Sequence, residues 1–228
     1  MQLSYEFWES LWLTLRLAFF TTLFLLLLGI PLAQWLNRAR GRSVLLLETI
    51  LTLPVVLPPT VIGFYLLVLF APQRTLGSFW QNLFGHSFAF SFTGLVVGSM
   101  IYSLPFALQP FQAALRTVPK DLVNAARLDG ASRVQAFRHV VLPLAGRGLA
   151  VGIVLSFAHT VGEFGVVLML GGSIPGRTKV ASIALYDEVQ KLDYSSAHAY
   201  ALVLLAVSFV LILLMSFLRR SLPENVTL

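Results

Sequence analysis

The 228-residue chain contains no cysteine, which excludes disulfides and thiolate metal sites. Charge is scarce too. Sixteen Lys and Arg with ten Asp and Glu leave only 11% of residues charged, against about 25% in an ordinary soluble domain. His86, His139 and His198 fall in separate segments without metal-ligand spacing. There is no G-x-S-x-G elbow and no H-E-x-x-H pair, so nothing points to hydrolase or zinc-protease chemistry. GGSIPGRT (171–178) spaces its glycines like a phosphate-binding loop. However, Arg177 replaces the lysine, Pro175 lies inside, and no strand pattern precedes it. Glu6 and Glu9, with no basic cluster near them and no small-residue cleavage site after them, argue against a cleaved leader.

What is abundant is apolar sequence, at 57%. Runs such as Leu23–Leu32 and Ala201–Leu218 exceed what a soluble core absorbs and read as membrane-crossing helices. Five spans are expected, at about 11–36, 44–71, 92–115, 148–171 and 197–218. All 228 residues then form a single transmembrane domain of all-α class. The interval 72–91, with Phe79, Trp80 and Phe84, is expected to hold a short interfacial helix.

Basic residues set the direction. Eleven Lys and Arg follow spans one, three and five, from Arg38 to Arg220. Four lie on the other side: Arg74, Arg177, Lys179 and Lys191. The richer side is expected to be cytoplasmic. That places the N-terminus outside, the C-terminus inside and the chain in a bacterial-type cytoplasmic membrane. The net charge of +6 follows from these loops, so no nucleic-acid partner is expected.

Proline and glycine interrupt the spans. LPVVLPPTVIG carries Pro54, Pro58, Pro59 and Gly63, and span three carries Pro105 and Pro110. An internal proline removes a hydrogen bond and clashes with the turn before it. In lipid the freed carbonyl must be satisfied by protein or water. Breaks therefore belong inside a bundle or beside a pathway. Pro58, Pro59, Thr60 and Gly63 are pathway candidates, as are Glu163, Phe164 and Gly165 of span four. Glu163 is an acid at membrane depth, a costly placement that points to function. It is a poor ligand for an anion, so a gate-shaping role is expected, with His159 one turn earlier as its local partner. Gly148 and Gly152 form a G-x-x-x-G pair that permits close helix approach. Glu48 and Arg16 read as groups reaching toward the interface.

The interval 116–147 is different again: basic and amphipathic. Leu122, Ala126, Val134, Phe137 and Val141 recur at helical steps as one expected face. Pro119 and Asp121 suit a helix start. Gly130 breaks the run, and Ser132 with Gln135 matches a capping box opening a second helix. Pattern alone leaves two readings open: a surface helix on anionic lipid, or a docking helix for a cytoplasmic partner.

This segment resembles the cytoplasmic signature of ABC importer permeases, E-A-A, three residues, G, then I-x-L-P. Ala125 and Ala126 match the alanines, Gly130 the glycine, and Val140, Leu142 and Pro143 the tail, while Asn124 stands where the pattern has Glu. LPVVLPPTVIGFYLL (53–67), FAHTVGEFGVVLMLGGSIPGRT (157–178) and YDEVQKLDY (186–194) further resemble the permease subunits of molybdate importers, a likeness covering nearly the whole chain. The resemblance implies a five-span ABC importer permease with a coupling helix that docks on an ATPase. Contacts to that ATPase would come from Asn124, Ala125, Ala126, Arg127, Gly130, Ala131, Phe137, Leu142 and Pro143. It also implies a second copy of the chain, two cytoplasmic ATPase subunits that bind ATP and Mg, and an extracytoplasmic oxyanion-binding protein. No cofactor, metal or catalytic residue is expected in the chain itself. Tungstate and sulfate permeases share much of the pattern. A secondary transporter or channel, or a lipid-binding scaffold, would work without the ATPase.

Overall fold

The computed structural model describes residues 5–220, so the domain bounds 1–228 extend beyond the described residues at both ends. The described residues form α-helices with short 3-10 and π segments: α1 (Tyr5–Leu36), α2 (Arg42–Thr52), a 3-10 turn (Leu53–Val55), α3 (Pro59–Leu69), α4 (Thr75–Phe84), α5 (Phe92–Arg116), α6 (Lys120–Leu128), α7 (Arg133–Ala136), a π turn (Phe137–Val141), α8 (Leu142–Val161), α9 (Gly165–Gly171), α10 (Ala181–Gln190) and α11 (Tyr194–Arg220). No strand occurs among the described residues.

Four stretches are long and apolar enough to cross a bilayer: Tyr5–Leu36, Phe92–Arg116, Arg133–Val161 and Tyr194–Arg219. The expected second span is instead a bent pair, Arg42–Val55 and Pro59–Leu69, turned by 113°. Pro58 and Pro59 explain the bend. Neither offers an N–H, and each forces an extended backbone on the residue before it, so Pro58 sits at ψ 133°. The pair still joins the two ends of the bundle. At one end Glu48 of α2 accepts from Gln112 Nε2 near the close of α5, at 2.9 Å. At the other, Phe70 stacks on Phe88 at 4.1 Å, just before α5 begins. Counted as one span, it gives five crossings.

Two further expectations need correction. Pro105 and Pro110 do not interrupt span three, because α5 is continuous through both, with the two rings buried. Pro110 is accommodated by Gly152 of α8, where an added Cβ would stand 3.2 Å from the proline ring and 2.7 Å from Phe111. Gly148 does the same against Ala114. This is close approach of the kind small residues permit in lipid, where dispersion rather than water expulsion holds helices together. The expected fourth span, 148–171, is also not one helix. It starts upstream at Arg133, passes through the π turn, ends at Val161 and resumes as α9 after a break at 162–164.

The core has two large centres and a smaller third, where Phe7, Ala181, Ala184 and Tyr200 meet. Leu25, Leu108, Phe111, Ala114 and Leu149 fill the end that carries Arg38 and Arg116, called the basic end below. Leu17, Leu95, Val166, Leu170 and Ile183 fill the opposite half. α4 forms within 72–91, its Trp80 packed against Phe70, Phe84 and Phe88. α11 lies against α8 and α10 and exposes Leu205, Phe209, Val210 and Leu213.

Candidate functional site

At the basic end, α6 and α7 are built from local rules. Pro119 caps α6 with ψ 126°. The helix closes in a Schellman turn: Ala131 N–H donates to Ala126 O at 3.0 Å and Gly130 N–H to Arg127 O at 3.2 Å. Gly130 is the left-handed residue of that turn, at φ +93°, a conformation that costs an L side chain about 1–2 kcal/mol. Ser132 then opens α7 with a full capping box. The Ser132 hydroxyl accepts from Gln135 N–H at 3.2 Å, and the Ser132 N–H donates to the Gln135 side-chain Oε1 at 2.8 Å. Asn124, Ala125, Arg127, Gly130 and Pro143 are exposed, while Ala126, Ala131, Phe137 and Leu142 are half-buried.

The single apolar face expected for this segment does not exist. The Gly130 turn resets the helical register, so Phe137 and Val141 turn into the core. Val134 (74% exposed) and Leu122 face out. They are joined by Leu128, 88% exposed, which the periodicity missed. The free edge of α6–α7 therefore presents Leu122, Leu128 and Val134, flanked by Arg127 and Arg133.

The pathway candidates converge elsewhere, at the middle of the bundle. Pro59, Thr60, Glu163, Phe164 and Gly165 line one cavity of about 450 Å³, together with Tyr102 and His159. The break in the α2–α3 pair thus lies against the break between α8 and α9. Two glycines permit this. A Cβ on Gly165 would stand 2.8 Å from Pro59 Cγ and 3.2 Å from Thr60 N, and one on Gly63 2.6 Å from Met169 Cβ. Gly63 packs behind the cavity, and Pro58 caps α3 just before it. The motifs did not single out Tyr102, which comes from the continuous helix α5.

Glu163 is 3% exposed. Neither carboxylate oxygen has a hydrogen-bond partner among the described residues. Ser99 Oγ faces it without reaching hydrogen-bond geometry. The expected pairing with His159 is not made. α8 stops at Val161, so the one-turn register between residues 159 and 163 is lost. His159 instead bonds Ser103 Oγ through Nδ1 at 2.9 Å and stacks on Phe106 at 3.8 Å. Ser103 also bonds Thr160 Oγ1 at 3.0 Å. Ser182 Oγ donates to the Glu163 carbonyl at 2.6 Å, fixing the broken backbone.

Glu48 does not reach the interface as a free group; it is engaged by Gln112. Arg16 lies over the Phe92 ring, 5.1 Å from its centroid. The glycine-rich 171–178 stretch is a turn tied to α10. Lys179 Nζ lies 3.2 Å from Asp187 Oδ2, which also accepts from Ser173 Oγ at 2.5 Å. Among the described residues no three His, Asp or Glu side chains converge as metal ligands.

Residues 25–226 match the model of a family described as the binding-protein-dependent transport system inner membrane component. The chain is 42% identical to the molybdenum transport system permease protein ModB of Azotobacter vinelandii, over 96% of this chain and 97% of that protein. It is 33% identical to the sulfate transport system permease protein CysT of Salmonella typhimurium, over 99% of this chain and 86% of that one. In fold it resembles a subunit of a bacterial ABC transporter for alginate import, with TM-score 0.76 at 21% identity, covering 97% of this chain and 82% of that one.

Proposed function

The chain belongs to the binding-protein-dependent transport system inner membrane component family, and from that membership we propose that it is the permease subunit of an ATP-driven molybdate importer. The observation that carries the substrate is the 42% identity over nearly full length to a molybdenum permease, against 33% to a sulfate permease.

The permease itself hydrolyses nothing. It sits in the inner membrane with its basic end in the cytoplasm, the side that Lys and Arg prefer. There two ATPase subunits, which hold ATP and Mg, dock on α6–α7 of two copies of the chain. Asn124, Ala125, Ala126, Arg127, Gly130 and Ala131 form the docking helix and its turn. Phe137, Leu142 and Pro143 root it in α8, and exposed Leu122, Leu128 and Val134 supply apolar anchors of the kind a helix lays into a groove. A binding protein that carries the oxyanion meets the opposite end.

Movement follows from the connection. α7 runs through the π turn into α8 with no intervening loop, so a pull on α6–α7 is transmitted to α8 as a rigid body. The far end of α8 is the break at Glu163, which borders the cavity with Pro59, Thr60, Phe164 and Gly165. Pro58 and Gly63 set the bend of the facing pair. This is where access alternates. Glu163 offers no positive charge and, among the described residues, no arginine or lysine lines the cavity, so the cavity passes the oxyanion without holding it, as a conduction path requires.

The test is uptake into vesicles holding the chain, its ATPase and its binding protein. Molybdate uptake should require ATP and the binding protein, yield to tungstate competition more than to sulfate, and collapse in Gly130→Asp. Uptake indifferent to ATP, or intact in the variant, would overturn the reading.

A further inference from the structure

A second polar cavity, of about 470 Å³, opens at the basic end between the close of α1, the close of α5 and the start of α6. Arg38, Arg116 and Lys120 line it, with the amides of Gln34, Asn37 and Asn124. Among the described residues no acidic side chain lines it. Among the described residues none of the three cations forms an ion pair. Among the described residues, Glu48 is engaged by Gln112, and Asp121 lies on α6 outside the lining.

The site is built rather than incidental. Asn37 holds it together, accepting from Arg116 Nε at 2.7 Å and donating to the Gln112 carbonyl at 3.0 Å. That fixes the Arg116 guanidinium while leaving its terminal N–H groups without a described partner. α6 begins here at Pro119, which supplies no side-chain cap, so first-turn N–H groups and the positive end of the helix dipole add to the field. The floor is apolar, made of Leu115, Val118, Val123 and Val141. Trp35, one turn before Arg38 and half-exposed, marks the headgroup level where tryptophan prefers to sit.

Three unpaired cations over an apolar floor, beside an interfacial tryptophan, match a group that is anionic at one end and greasy at the other. We propose that this cleft holds the phosphate of an anionic phospholipid and so ties the root of α6 to the membrane surface. A free phosphate shares the headgroup's charge but has no use for the apolar floor. The site lies apart from the pathway cavity, and its assay contains no transport step, so it stands or falls separately from the molybdate reading.

The test is native mass spectrometry of the full chain in detergent, titrated with phosphatidylglycerol, with phosphatidylcholine as the neutral comparison. One phosphatidylglycerol per chain should be retained in preference to phosphatidylcholine. Arg38→Gln with Lys120→Gln should weaken its binding roughly thirtyfold, from about fivefold per basic residue near a membrane surface. This pair leaves the Arg116–Asn37 bond in place, so the fold is preserved, and thermal stability checks that. Arg133→Gln with Arg138→Gln removes the same charge from α7 and the π turn after it and should leave binding unchanged. The proposal fails if the first pair binds like the wild type or if the second weakens binding equally. It also fails if inorganic phosphate displaces the lipid at the lipid's own half-saturating concentration, which would make this a free-anion site.

Discussion

Gly165→Ala adds one methyl group where the two helix breaks meet. In the structure that carbon would stand 2.8 Å from Pro59 Cγ, 2.9 Å from Pro59 Cβ and 3.2 Å from Thr60 N. Ordinary carbon contacts lie near 3.5–4.0 Å, so α9 and α3 must separate by roughly 0.7 Å. Neither obstacle can swing aside, since one is a proline ring and the other is backbone. Overpacking of this kind costs about 1–3 kcal/mol. If that strain falls on the state in which α3 and α9 are closed together, the balance between states shifts by roughly 5- to 150-fold. Thermostability of the detergent-solubilised chain should drop and molybdate uptake should fall. Gly146→Ala is the matched control, because its added carbon meets nothing within 4 Å and should gain the roughly 0.5–1 kcal/mol by which alanine favours a helix over glycine. Unchanged stability and uptake in Gly165→Ala, alongside a stabilised Gly146→Ala, would refute the claim that close approach of α3 and α9 shapes the cavity.

Glu163→Gln keeps the volume of a buried side chain whose oxygens have no described partner, and should hold or raise thermostability, because an unpaired buried carboxylate costs free energy. A clear fall, read by thermal unfolding in detergent, would mean that Glu163 is compensated from outside the chain. Asp193 caps the start of α11; the Ser196 hydroxyl, then the Ser196 N–H, hold its carboxyl below the ordinary 3.8. A lowered carboxyl contributes stability that is present above 3.8 and lost as pH falls through the depressed value. Protection of the Ser196 amide from hydrogen exchange should therefore persist from neutral pH to about 3.8 and fail only in stronger acid. In Asp193→Ala it should be weak throughout.

Features that depend on neighbours within about four residues were legible in the chain. The Pro58–Pro59 bend, the Gly130 turn and the Ser132–Gln135 box were legible because each is fixed by backbone sterics or one local hydrogen bond. So were the apolar stretches of α1, α5 and α11. Where local rules failed, something distant had intervened. Pro105 and Pro110 read as breaks, yet α5 runs through them because Gly152 makes room from another helix. His159 and Glu163 read as a helical pair, yet the helix ends between them.

The sequence by itself determined that this chain lives in a membrane, which end is basic, that its second span bends at Pro58–Pro59 and which segment resembles an ATPase dock. Only the tertiary structure decided that the break at residue 59 meets the break at residue 165. It likewise decided that Leu128 rather than Phe137 faces out, and that Arg38, Arg116 and Lys120 share one cleft. The reason is reach. Dihedral preferences and single hydrogen bonds act over one helical turn, whereas a cavity is made where helices far apart in the chain pack, and which glycine admits which neighbour is set by that packing alone.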